Sequence, residues 1–138
     1  MKNNRHVGRA AMLAALVMVF AAATVLAQDP VKVAPNNFKV LLENDRVRVL
    51  DFHSKPGDKI GMHSHPSSVY YYVAGSKTKF TSPDGKVTER ESKLGQSAWR
   101  DPETHASEYV GTGESHVVLV ELKDKAAKAA SKAAPKKK

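Results

Sequence analysis

His63 and His65 are separated by a single residue, and on an extended strand residues i and i+2 project to the same face. Two imidazoles set side by side suit one metal ion. Met62 and Ser64 would then point the other way, and Pro66 would end the strand's hydrogen bonding directly after the pair. A surface or core pair of histidines would give the same spacing, so the meaning of the pair depends on its context. The chain has no cysteine, which excludes thiolate metal sites, iron–sulfur clusters, disulfides and cysteine nucleophiles together. Any metal must sit on nitrogen and oxygen. Imidazole suits zinc, iron, copper and nickel, whereas calcium and magnesium take oxygen ligands. No glycine-rich phosphate loop, G-x-S-x-G elbow or HExxH helix is present, and the serines show no base-and-orienter pattern.

The segments that would have to position these histidines read as strands. Runs at 38–43, 47–53, 69–74, 77–81, 86–91 and 116–122 are rich in Val, Tyr, Leu and Thr. Asn44-Asp45, Lys55-Pro56-Gly57-Asp58, Pro83-Asp84-Gly85 and Gly111-Thr112-Gly113 interrupt them with turn chemistry, and 82–85 predicts a hairpin. No window from 36 to 122 shows a sustained helical apolar stripe, so the expectation is one all-β domain of about 85 residues, a small barrel or double-sheet sandwich. Asp51 and His53 share a strand face opposite Leu50 and Phe52, and His116 opens the last run; both histidines are expected to be surface or structural. Tyr70 and Tyr72 alternate as core residues would. Trp99 and Arg100 are expected at the mouth of a pocket, with Arg100 offering a fork for a carboxylate.

The formal charge of +8 is confined to the chain's ends: residues 1–27 carry +3, residues 123–138 carry +6, and residues 28–122 carry −1. A nearly neutral body speaks against a specific nucleic-acid module. Residues 1–27 read as a secretory signal, with a basic start at Lys2, Arg5 and Arg9, an apolar run from Ala10 to Leu26 and a small-residue cleavage site at Ala27. An uncleaved anchor is the alternative, and either way the domain at 28–122 is expected outside the cytoplasm, periplasmic or secreted. Residues 123–138 hold only Lys, Ala, Asp, Ser and Pro. This low-complexity tail has nothing to bury and is expected to be solvated, with at most weak contact to an anionic surface.

The order of these features resembles the two motifs of the cupin superfamily over most of residues 38–122. Gly57, His63, His65 and Gly75 match the first motif; Gly95, Pro102 and His105 match the second, with Pro102 one place late. The resemblance implies a small cupin-type β-barrel, a double-stranded β-helix or jelly roll, in which His105 joins His63 and His65 as a third ligand. Two departures stand out. The motif-one glutamate should fall within 68–70, where no residue is acidic, and Tyr109 stands where the second motif has asparagine. A three-histidine centre is then implied, similar to those of cupin-type dioxygenases that use ferrous iron, with Fe2+ and Zn2+ leading the candidate divalent ions. Three neutral ligands would leave the ion its full charge, a strong Lewis acid toward an anionic ligand. Glu103 and Glu108 flank His105 as candidates for orienting an imidazole. The implied roles are a dioxygenase-type enzyme acting on a small oxygen-bearing molecule, or a module that binds a small molecule or metal without turnover. Pairing of small cupins through outer strands implies a homodimer.

Overall fold

A computed structural model describes residues 28–123; the expected signal segment at 1–27 and the tail from 124 onward lie outside the described residues. One helical turn, α1 (Pro30–Val33), precedes nine strands: β1 (Phe38–Glu43), β2 (Val47–Ser54), β3 (Lys59–His65), β4 (Ser68–Tyr72), β5 (Ser76–Thr81), β6 (Val87–Ser92), β7 (Ser97–Arg100), β8 (Glu103–Tyr109) and β9 (Ser115–Leu122). The six expected runs fall on β1, β2, β4, β5, β6 and β9. All ladders are antiparallel. They form a five-stranded sheet in the order β1-β2-β9-β4-β7 and a four-stranded sheet in the order β3-β8-β5-β6.

Of the expected alternatives, a small barrel or a double-sheet sandwich, the structure has the two-sheet jelly-roll arrangement, and its sheets do not close into a true barrel. Among the described residues no ladder joins edge strands β1 or β7 of one sheet to β3 or β6 of the other. The physical reason is visible at the edges. β7 has only four residues, and the free edge of β3 is already covered by the segment that leads into α1, where the Ser64 N–H donates to the Gln28 carbonyl at 2.9 Å and Val33 of α1 packs beside Gly61. α1 itself forms because Asp29 accepts from the Val31 N–H at 2.9 Å and Pro30 opens the first turn.

The inner face of the five-stranded sheet supplies most of the core. Phe38, Leu50, Tyr72, Val117 and Leu119 are buried there, with Ile60 from the facing sheet. β2 and β9 run in register without interruption from Val47 opposite Leu122 to Ser54 opposite Ser115. The turn Lys55-Pro56-Gly57-Asp58 closes with an Asp58 N–H to Lys55 carbonyl bond of 3.0 Å, and Gly57 at φ 88° takes the left-handed position that a type II turn requires. It delivers the chain into β3, the strand of the histidine pair.

Candidate metal centre

β3 carries an irregularity that sets its inward face. Ile60 lies opposite Ser107 while His63 lies opposite His105, so β3 holds one residue more than β8 across that interval. Such a bulge shifts the side-chain phase by one. Ile60, His63 and His65 all become buried on one side, which simple alternation from Ile60 would forbid. Met62 and Ser64 are less buried than the histidines on either side, and Ser64 Oγ lies 2.6 Å from Thr104 Oγ1.

His105 is the direct cross-strand partner of His63, and this places the distant third imidazole beside the pair. Ring centroids are 4.7 Å apart for His63 and His105, 4.9 Å for His63 and His65, and 5.6 Å for His65 and His105. All three residues are buried, and each offers a ring nitrogen within 4.8 Å of the others. A centre with bonds near 2.0–2.1 Å holds its nitrogens roughly 3 Å apart, so a modest inward turn of the rings would close the triad on one ion. It is a buried three-histidine cluster capable of coordinating a divalent metal.

The outer nitrogens of two rings are committed elsewhere. His63 Nδ1 lies 2.8 Å from the Gly61 carbonyl that the bulge turns toward it. His65 Nδ1 lies 2.7 Å from Glu121 Oε1. Each contact has the ring donating N–H outward, which leaves Nε2 with a lone pair for the cluster. Phe38 and Phe80 pack edge-on or tilted against the imidazoles at 4.8–5.9 Å between centroids and hold their orientation.

Glu121 is the residue that the sequence reading missed. Burial would raise its pKa, but hydrogen bonds from His65 and Arg48 overcome that and hold the carboxyl below its ordinary value, so it stays ionised. Arg48, its register partner on β2, donates Nε–H to Glu121 at 2.7 Å and Nη1–H to Asp29 at 2.8 Å. A chain of alternating charge thus runs from the cap of α1 to His65. The signal was present in the sequence: Glu121 and Arg48 each interrupt the apolar phase of an otherwise apolar strand, and buried charges of opposite sign require one another.

The expected orienting carboxylates divide. Glu103, two residues from His105 on the same face, comes within 3.6 Å of His105 Nδ1 but is held by Arg90 at 3.0 and 3.1 Å. Glu108 is a correction: it sits three residues on, in the opposite phase, and pairs with Lys59 on the outside at 3.3 Å. Trp99 is a second correction, because it is half-exposed on the five-stranded sheet with its indole N–H on Asp101 at 3.0 Å. Arg100 lies outside the cavity lining as well. Tyr109 is buried away from the cluster, its hydroxyl against Gly111.

Burial also controls protonation. It lowers the pKa of His63 to about 4 and that of His105 to about 2, with the neighbouring histidine charges adding to the effect. Both are neutral at pH 7, the form that binds metal. The Nδ1 of His105 has no hydrogen-bond partner although it is buried. A ring nitrogen without a partner costs about 1–3 kcal/mol in a closed interior; it is tolerable where the ring turns to serve an ion, so the residues present fit a metal. The cluster lines a cavity of about 50 Å3 with Phe38, Phe52, Tyr70, Thr78 and Phe80, room for roughly three or four waters. Burial, with the charges of Glu103, Tyr72 and Glu121, raises the Tyr70 pKa and keeps its phenol protonated.

No protein-family model matches the sequence, and no curated protein matches it. Solved structures do match. A cupin domain from Bordetella pertussis Tohama I is 22% identical, with a TM-score of 0.56 over 63% of this chain and 92% of that one. A protein with a double-stranded β-helix domain from Klebsiella pneumoniae subsp. pneumoniae is 24% identical (TM-score 0.48; 64% and 84% covered). A cupin superfamily protein from Desulfitobacterium hafniense DCB-2 is 15% identical (TM-score 0.48; 63% and 76%). With the strand order above, the Bordetella structure establishes that the domain has the fold of the cupin superfamily.

Proposed function

We propose that the chain is an exported protein in which His63, His65 and His105 hold one divalent transition ion, Fe2+ or Zn2+, and present it to a small oxygen-bearing ligand. The observation that carries this reading is the convergence of three buried imidazoles, with His63 and His65 tied back through Nδ1. The ion would supply Lewis acidity and, as Fe2+, the redox chemistry of a dioxygenase-type oxidation. The chain's own residues do the rest. Phe38, Phe52 and Phe80 line the cavity with apolar rings, and an apolar lining strengthens the charge interactions beside it. The protonated Tyr70 phenol is a donor for a ligand oxygen, and Thr78 and Ser107 line the opposite sheet with hydroxyls. The cavity's size restricts the ligand to a few non-hydrogen atoms unless the mouth opens.

A specific observation favours a second reading, binding without turnover. Among the described residues, the titratable side chains that line the cavity are the three histidines and the phenols of Tyr70 and Tyr72, with no carboxylate there as a general base. Metal analysis of untagged protein tests both readings: about one equivalent of tightly held transition metal is expected, and that equivalent should be lost in the His63→Ala and His105→Ala variants. Less than about one-tenth of an equivalent after reconstitution would remove both. Oxygen uptake by the iron form with diketones, phenols and thiols then separates enzyme from binder.

A further inference from the structure

On the outer face of the five-stranded sheet, two more histidines meet. His53 of β2 and His116 of β9 are direct cross-strand partners, and their rings stack with centroids 4.1 Å apart and planes 19° from parallel. Asp51 lies two residues before His53 on the same face. Its carboxylate spans both rings, with Oδ1 at 2.7 Å from His116 Nε2 and Oδ2 at 3.3 Å from His53 Nε2. One ligand atom from each residue falls within 4.8 Å of the others. Phe52, between Asp51 and His53 in sequence, turns inward to line the cavity, so this cluster is on the other side of the sheet from the buried triad.

We propose that Asp51, His53 and His116 form a second metal site, a surface site of two imidazoles and one carboxylate for a borderline divalent ion such as Zn2+, Ni2+ or Cu2+. The donor set is one such ions accept and Ca2+ or Mg2+ do not favour. Ligand atoms around a tetrahedral ion with bonds of 2.0–2.1 Å stand about 3.3 Å apart. The two contacts run to different oxygens of Asp51, Oδ2 at 3.3 Å from His53 Nε2 and Oδ1 at 2.7 Å from His116 Nε2, so the carboxylate must turn to offer one oxygen to an ion between the rings, and the His116 contact must open by about half an ångström. Binding also requires Nε2 of both rings to give up its proton. In a neutral imidazole that proton moves to Nδ1, and for His53 an acceptor waits there: Glu114 Oε1 is 3.3 Å from His53 Nδ1. The chain's other contribution is unfavourable, because Lys39 of β1 is the register partner of Asp51 and brings a positive charge to the same face. Asp51, His53 and His116 are 22%, 44% and 31% exposed, so the site is open to solvent and weaker than the buried one.

The test is Zn2+ titration of the untagged full-length chain, followed by calorimetry and by native mass spectrometry, with Asp51→Asn, His53→Ala and His116→Gln beside His63→Ala. Two equivalents are expected for the unaltered chain. Each of the three surface variants should lose one equivalent and keep the other, while His63→Ala should lose the tighter one and keep the weaker. Circular dichroism checks that the variants fold, and the His ring resonances of His53 and His116 should move on saturation of the second equivalent in the His63→Ala background. Surface variants that still bind two equivalents, or resonances of His53 and His116 that do not respond, would overturn the proposal. Failure of the buried site alone would leave one equivalent that the surface variants abolish, so the two sites are judged separately.

Discussion

Because Glu121 accepts the Nδ1 proton of His65 and is kept ionised by Arg48, it governs which nitrogen His65 presents to the cavity. Glu121→Gln keeps an acceptor oxygen but removes the charge, and the variant should bind Zn2+ about 10- to 100-fold more weakly in a chelator competition assay. Glu121→Ala goes further, since it leaves Arg48 buried with Asp29 alone, and should lower unfolding stability by about 3 kcal/mol in urea. The buried histidines make a pH prediction for the metal-free protein. In the unfolded chain imidazole takes a proton near pH 6.5, whereas folded His63 resists it down to about pH 4. Over that window the unfolded state binds more protons, so stability falls as pH drops from 6.5 toward 4, by about 3 kcal/mol from His63 alone. Urea midpoints between pH 7 and 4 measure it, and His63→Phe should flatten the curve. At this scale His63 and His65 were legible from spacing, and His105 from the resemblance alone. Glu121 was not legible from proximity in sequence, because its partner His65 is 56 residues away.

The strands were legible where both propensity and pattern agreed, as in β2 and β9. β7 and β8 were not, because Ser97–Arg100 is only four residues and Glu103–Tyr109 is mostly polar, with Glu103, His105 and Ser107 preceding Tyr109 on its inward face. The bulge in β3 was equally invisible: it exists as a difference in register between two strands, and neither strand alone announces it. Its consequence can be tested by deleting Met62. With one residue fewer, plain alternation keeps Ile60 and His63 on the same face without the bulge, so the variant should keep a β-rich circular dichroism spectrum but lose the Gly61 carbonyl that meets His63 Nδ1, and it should bind Zn2+ more weakly. Helix α1 offers a milder test. Asp29 both caps the helix and holds Arg48, so Asp29→Ala should cost about 1 kcal/mol for the cap. It should also weaken Zn2+ binding slightly through Arg48 and Glu121, an effect that a cap alone would not produce.

At the scale of the molecule, charge is unevenly divided along the chain. The body from 28 to 122 is nearly neutral and the segment 123–138 carries +6. Lys123, the last described residue, donates its backbone N–H to the Arg46 carbonyl at 2.8 Å and pairs its ammonium with Glu43. Every strand that builds either histidine cluster is complete by then. A chain ending at Lys123 should therefore unfold within about 0.5 kcal/mol of the full chain, the range of surface changes that touch no packed group, and should bind the same equivalents of Zn2+. What it should lose is charge-dependent attraction: sedimentation with vesicles rich in anionic lipid should fall relative to the full chain. The full chain's own binding should weaken steeply between low and physiological salt, as screening shortens the reach of each lysine to about 8 Å. Equal sedimentation of the two chains would place any surface attraction on the folded body, and a loss of stability on truncation would mean that residues beyond 123 pack against it.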